Sequence, residues 1–380
     1  MAGSIKETQY VKGTPADRDE IIDFANYVFS QAHVSHDFKI LLPKTYDDAA
    51  QGIEEWHYLA KQDGRIRALV ADRPLKLHVQ DSVLYAGCVG TVSVHKYSRG
   101  EGLMKYLMRW MLEEEKKKGF DMMILGGQRQ RYNYFGFEQA GFVFAYDVSE
   151  ASLRHTLAGQ PEHSVYFHEL SEDNAAEFAF ARDVCCRQMV YGERPADEFM
   201  RIMHNWNSRC RVVYVDGVLT GCVMGDGMEI CLTDDGLLPW VLNAMLAESG
   251  RQNICVKAAP FERERVELLS KISAGRSIQS VEMINILNWE KVLNTLLKLK
   301  ASYAKLHDGC VRMKMDGKTY RIRVSENVPS VEETDEKADV ELSHMEAQRR
   351  LLNMENMCIP DDVFGDWAPL PFNISPADTF

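Results

Sequence analysis

The stretch Gly90-Thr91-Val92-Ser93-Val94-His95-Lys96-Tyr97-Ser98-Arg99-Gly100-Glu101-Gly102-Leu103 runs from β-branched residues through a glycine-bearing turn into a long amphipathic segment. A strand and turn that open a helix leave the first N–H groups of that helix unpaired. Those groups point outward with partial positive charge, which suits a phosphate ligand. Glycine at 100 and 102 lets a ligand approach the backbone closely, although both residues read equally well as plain turn residues. A dinucleotide site of the Rossmann kind is disfavoured, because no G-x-G-x-x-G is present. One helix and one strand downstream lies Leu125-Gly126-Gly127-Gln128-Arg129-Gln130-Arg131-Tyr132-Asn133-Tyr134-Phe135-Gly136-Phe137. Taken alone, Tyr132 in this aromatic-rich turn reads as a packing residue.

Other residues with chemical potential carry weaker signals. His33, His36 and His95 are possible bases but read better as surface or satisfied polar residues. Cys88 lies in a strand with no evident partner, so a nucleophilic thiol is not expected. The nine cysteines are an odd number, none forms a CxxC pair, and Cys185 adjoins Cys186. They read as reduced thiols, and no metal site is expected. A formal charge of -12 argues against nucleic acid and is compatible with a cationic substrate such as a polyamine. No leader-like segment or bilayer-length apolar run is evident, so a cytoplasmic protein without a membrane partner is expected.

The elements needed to position the two glycine-bearing blocks can be read from periodicity. Asp17 to Gln31 predicts an amphipathic helix, and Ile66 to Ala71, Lys76 to His78 and Val83 to Val94 predict strands. Leu103 to Lys118 predicts a helix with the inward stripe Leu103, Leu107, Trp110 and Met111, stopped at Gly119. Phe120 to Leu125 predicts a buried strand. Further on, Arg211 to Val223 predicts a hairpin about Asp216-Gly217, Leu237 to Glu248 a helix and Asn253 to Ala258 a strand. These make the middle segment a looser second α/β layer. Trp289 to Lys305 predicts a helix; Cys310 to Met315 and Thr319 to Val324 predict a second hairpin, followed by an acidic loop from Glu332 to Asp339. The tail from Ile359 holds Phe364, Trp367, Phe372 and Phe380, too many aromatics for a disordered end, and is expected to pack.

Arg99-x-x-Gly102 followed by Tyr132-x-x-Phe135-Gly136-Phe137 resembles the GNAT acetyltransferase superfamily. It is more closely similar to the enhanced intracellular survival family of multi-acetylating N-acetyltransferases. The resemblance implies an α/β (α+β) chain of tandem GNAT-like domains, residues 1–148 and a degenerate 149–288. A small α+β sterol-carrier-protein-like domain, 289–380, would follow, its tail reaching the active site. It also implies acetyl-CoA as co-substrate, a primary-amine acceptor (an aminoglycoside, a polyamine or a lysine side chain), and a homohexamer. Val92, Ser93 and Val94 would pair with the pantetheine arm. Arg99, Gly100, Glu101, Gly102, Leu103 and Met104 would hold the pyrophosphate, and Gly127 and Gln128 would line the far side of the thioester. Tyr132 would be the general acid, and the terminal carboxylate of Phe380 the general base. Met104 departs from the superfamily, which usually has glycine or alanine there. A phenol is a suitable donor to a thiolate of similar proton affinity, and a desolvated terminal carboxylate is a stronger base than an exposed one. Asp23, Asn26, His33, Phe38, Asp361, Asp362, Asp366 and Asp378 are candidates for an acidic rim facing a polycation. The alternative is a catalytically silent acyl-CoA-binding regulator.

Overall fold

The computed structural model describes residues 7–32 and 34–380. In chain order its strands begin with β1 (Thr8–Lys12), β2 (His57–Gln62), β3 (Arg65–Val79), β4 (Ser82–Val94), β5 (Met122–Leu125) and β6 (Glu138–Ser149). The middle of the chain contributes β7 (Val165–Glu169), β8 (Val190–Gly192), β9 (Cys210–Val215), β10 (Val218–Met224), β11 (Glu229–Leu232), β12 (Asn253–Ala258) and β13 (Gly275–Ile286). The last part adds β14 (Gly309–Met315), β15 (Lys318–Ser325), β16 (Val328–Glu333) and β17 (Val340–Glu341).

Nine strands form one sheet in the order β1-β2-β3-β4-β5-β13-β6-β12, with β8 added beside β3. The β4–β5 pair is parallel and the other pairs of this sheet are antiparallel. A second sheet runs β11-β10-β9-β7 and a third runs β16-β15-β14-β17. The sheet that begins the chain therefore does not stop at residue 148. Strands β12 and β13, which lie within 149–288, complete it, and β13 sits between β5 and β6. All four residues of β5 are buried, as a strand with neighbours on both edges and layers on both faces requires.

The helix Leu103–Lys117 lies across this sheet. Leu103, Leu107, Met108 and Met111 enter one core with Val89, Met123, Leu125, Phe137 and Met283, while Trp110 is only partly buried. Each such side chain, taken out of water, contributes about 1.5–3 kcal/mol. Gly119 follows the helix with a left-handed φ of 85° and ends it. The two strands expected at 66–71 and 76–78 are one continuous β3. Pro74 does not break it because its missing N–H falls in a gap: β2 pairs with β3 only as far as Ala71, and β8 begins at Leu77. A proline is tolerated where no ladder bond is needed.

In the last part, the helix Trp289–Tyr303 packs on the third sheet. The acidic stretch expected as a loop from Glu332 is strand at its start, since Glu332 and Glu333 close β16. There they face Arg321 and Lys318 of β15, which offset the charge. The tail is packed: Phe364, Trp367 and Phe372 are at most 1% exposed. Among the described residues, no helix is long and apolar enough to cross a membrane.

Candidate active site

Strands β4 and β5 run side by side from Ala86–Met122 to Val89–Leu125, and there their pairing ends. Beyond that point they part, because β4 takes a bulge. Ala71 faces Gly90 and Leu69 faces Ser93, so Thr91 and Val92 together oppose Val70. The parting opens a cleft of about 600 Å³ lined on one side by Gly90, Thr91 and Val92 and on the other by Gly126, Gly127 and Gln128. Tyr132, Phe38, Cys88 and Phe380 close it.

The predicted site residues divide between two ends of this arrangement. Val92, Gly127, Gln128, Tyr132 and Phe380 line the cleft itself. Ser93 is turned inward, 1% exposed, and its hydroxyl donates to the Thr91 carbonyl at 2.7 Å. Val94 is paired opposite Ala68 of β3. Arg99, Gly100, Glu101 and Gly102 form an exposed turn at the start of the Leu103–Lys117 helix; Leu103 is buried and Met104 half-buried. Gly100 and Gly102 have φ of 89° and 80°, and nothing stands within 4 Å of where a Cβ would lie on either. Gly102 is the N-cap residue and no side chain caps the helix start. Its first N–H groups are thus free for an anion, with open space in front of them. The Glu101 carboxylate is held sideways by Gln62 Nε2 at 2.7 Å.

Tyr132 is 6% exposed, and its ring lies 3.1 Å from where a Cβ on Gly127 would be. Gly127, at φ 133°, thus supplies both the turn and the room for the phenol. Burial raises the phenol above its ordinary value, opposed by Arg131. It stays protonated at neutral pH.

Phe380 reaches the cleft because the tail before it is clasped. Lys44 Nζ donates to the carbonyls of Ala377, at 2.7 Å, and of Thr379. Asn205 Nδ2 also donates to Thr379, at 3.2 Å. Asp378 is 2% exposed and takes two bonds from Arg194, at 2.9 and 3.0 Å, and one from the Gly192 N–H at 3.1 Å. Arg194 in turn grips Glu229 at 2.8 Å through both terminal nitrogens. Burial, reinforced by the nearby Arg73 guanidinium, lowers the Lys44 ammonium to about 7. A Cβ on Gly90 would run into the Phe380 ring, so only glycine lets the two approach.

The acidic rim expected from Asp23, Asn26, Phe38 and the C-terminal aspartates is not built that way; His33 lies outside the described residues. Phe38 lines the cleft. Asn26 accepts from the Phe38 N–H at 2.9 Å, and Asp23 is exposed away from the cleft. Asp361 and Asp362 pair with Arg350, Asp366 with His307, and Asp378 with Arg194. Their charges are already spent within the fold. The carboxylates that face the site come instead from the middle of the chain. A second cavity of about 200 Å³ adjoins the cleft and shares Met228, Glu282, Pro376 and Thr379 with it. Glu229, Glu262 and Glu282 line it. Glu229 is held by Arg194 and Glu262 by Arg265. Glu282 has no hydrogen-bond or ion-pair partner among the described residues, and its Oε2 lies 3.1 Å from where a Cβ on Gly126 would be. Burial raises its carboxyl, with Lys257 opposing. Sequence reasoning missed Glu282, since nothing local shows that β13 inserts beside β5.

Of the remaining candidates, His36 Nδ1 bonds the Val34 carbonyl at 2.8 Å, and the His95 ring stacks on Tyr27; neither lines the cleft. Cys88 does line it, but burial pushes its thiol up to about 12, so no nucleophilic thiolate forms there. Cys185, Glu229 and Cys231 converge closely enough to suggest metal ligands. Their donor set is a poor one: Glu229 is committed to Arg194, and bonds between neighbouring thiols, with burial, keep Cys185 and Cys231 protonated.

Residues 9–140 match the family model described as an acetyltransferase (GNAT) domain, a match that spans β4 and β5 on either side of this cleft. The whole chain shares its fold with solved GNAT structures. A probable N-acyltransferase of unknown function from Enterococcus faecalis is 15% identical, with a TM-score of 0.68 over 98% of this chain and 100% of that one. A GCN5-related N-acetyltransferase from Kribbella flavida is 15% identical, with a TM-score of 0.67 over 100% of both chains. Eis1 from Mycobacterium abscessus is 14% identical, with a TM-score of 0.67 over 98% of this chain and 100% of that one. A search of curated protein sequences returned no match.

Proposed function

We propose that the protein transfers acetyl from acetyl-CoA directly to a primary amine of a cationic small molecule or a lysine side chain. The observation that carries this reading is the meeting of three features in one cleft: the parted strands β4 and β5, the buried phenol of Tyr132 and the clasped terminal residue Phe380. The uncapped helix start behind Gly100 and Gly102 fits a pyrophosphate, and the gap between β4 and β5 fits an extended pantetheine arm.

In this mechanism the free N–H groups of β4 at the bulge stabilise charge as it builds on the thioester oxygen. The Phe380 carboxylate takes the proton that the amine loses on attack, and the Tyr132 phenol gives its proton to the departing sulfur. Glu282, unpaired and half-buried, attracts the ammonium form of the acceptor into the junction of the two cavities. The remaining C-terminal segment, with its own sheet, is assigned by resemblance to a sterol-carrier-like unit, and the assembly to a hexamer; light scattering on the purified protein checks the latter.

Coenzyme A release from acetyl-CoA, followed with polyamines, aminoglycosides and lysine peptides, tests the reading. Release with any of them establishes turnover and the acceptor class. Folded protein that binds acetyl-CoA but releases nothing across the panel is the binding-only regulator instead. Extending the chain past Phe380 with a short C-terminal tag is expected to abolish release with every amine. Full activity in the tagged protein removes the terminal carboxylate from the mechanism.

A further inference from the structure

Thr91 is the only β-branched residue among the described residues with a left-handed backbone, at φ 43°. The other non-glycine residues with positive φ are mostly Asp, Asn, Glu and Gln, types that suit a turn. A β-branched residue is strained in that conformation and persists there only when its surroundings enforce it. Thr91 also stands within β4, at the bulge immediately beyond the last β4–β5 pair. Its conformation therefore sets the angle at which β4 leaves β5.

A buried chain of three side chains enforces it. Thr91 Oγ1 lies 2.7 Å from the Tyr46 hydroxyl, which lies 3.0 Å from His57 Nε2; His57 Nδ1 lies 2.8 Å from the Ile53 carbonyl. The direction of every bond follows from the last one. A carbonyl only accepts, so Nδ1 carries the proton and Nε2 is bare. Tyr46 therefore donates to Nε2 and accepts from Thr91. Tyr46 and His57 are wholly buried and Thr91 is 5% exposed, so no water competes for these bonds. Burial lowers the His57 imidazole to about 4, in keeping with a neutral ring.

We propose that Tyr46 and His57 are positioning residues that hold Thr91 in its left-handed bulge, and so keep the gap between β4 and β5 open for the thioester arm. The proposal rests on the acetyl-CoA reading for its ligand, but the clamp itself can be tested without one.

Hydrogen–deuterium exchange of the peptide spanning 88–94 and coenzyme A affinity by calorimetry make the test, with thermal unfolding as a control for folding. Tyr46→Phe keeps the ring that packs near Phe38 and Phe380 and removes only the hydroxyl. It is expected to speed exchange at the bulge and to weaken coenzyme A binding by roughly five- to tenfold, the worth of the one of its two buried hydrogen bonds that reaches Thr91. Thr91→Val should match it, and Thr91→Ser should behave as the unaltered protein does. Glycine adopts positive φ unaided, so in a Thr91→Gly background the further cost of Tyr46→Phe should disappear. An equal loss in both backgrounds, or unchanged exchange and affinity in a folded Tyr46→Phe protein, overturns the proposal. If Tyr46→Phe does not fold, the contrast between Thr91→Val and Thr91→Ser decides. Unaltered protein that binds no coenzyme A sinks the acetyl-CoA reading, while the exchange data still judge the clamp.

Discussion

In the proposed mechanism Tyr132 holds a proton ready to give, and Glu282 holds a charge ready to attract. Tyr132→Phe removes a donor and almost no binding surface. It should lower kcat by on the order of 10²-fold while leaving acetyl-CoA affinity within about twofold. Stopped-time coenzyme A release and calorimetry separate the two, and an equal collapse of affinity would make Tyr132 a structural residue. Glu282→Gln keeps shape and removes charge at the junction of the two cavities. It should raise KM for a polyamine by about tenfold, equivalent to ~1.4 kcal/mol, with KM for acetyl-CoA unchanged; steady-state kinetics in both substrates decides. The two residues differed in how visible they were beforehand. Tyr132 sits in a run where Gly136 and Phe137 follow at fixed offsets, so the role proposed for it rests on neighbours in sequence. Glu282 has no such neighbours. Its surroundings are Gly126 and the tail, brought to it only by folding.

The C-terminal tail behaves as an element in its own right, although it is neither helix nor strand where it matters. Its aromatic content announced that it packs. Its partners, Lys44, Arg194 and Asn205, were not legible, because an ion pair between distant segments leaves no periodic trace. For the same reason Asp378 read as a surface acid and is in fact a buried anchor. The local elements fared differently: the Asn253–Ala258 strand and the hairpin about Asp216-Gly217 depend on short-range pattern and turn chemistry, and both are present. Lys44 offers a sign-definite test of the clasp. Its folded value, about 7, lies below the ordinary 10.5. Between those values the unfolded chain binds more protons than the folded one, so stability rises with pH across that window. Urea unfolding at about pH 7 and about pH 9.5 should show the unaltered protein gaining stability relative to Lys44→Met, which has no amine to titrate. A constant difference between the two would mean that Lys44 is charged in the folded protein.

At the scale of the whole molecule, the segment that carries the acetyltransferase match is not a separable body. β5 depends on β13 for one of its two edges, and β6 has both its partners, β13 and β12, in the middle of the chain. Residues 1–148 expressed alone should therefore give no cooperative urea transition and should bind apolar dye. A cooperative, soluble 1–148 fragment would contradict this. The arrangement also constrains how the protein is made. Synthesis delivers the wholly apolar strand Met122–Leu125 to the outside of the ribosome long before its partner Met283–Ile286 exists. Throughout that interval an open strand edge waits in the nascent chain, available to any other chain nearby. Pairings this distant in sequence are also the slow step of folding. Soluble yield in the cell is therefore expected to depend on how long that edge stays uncovered, and added chaperone supply should raise it more than a gain in final stability does.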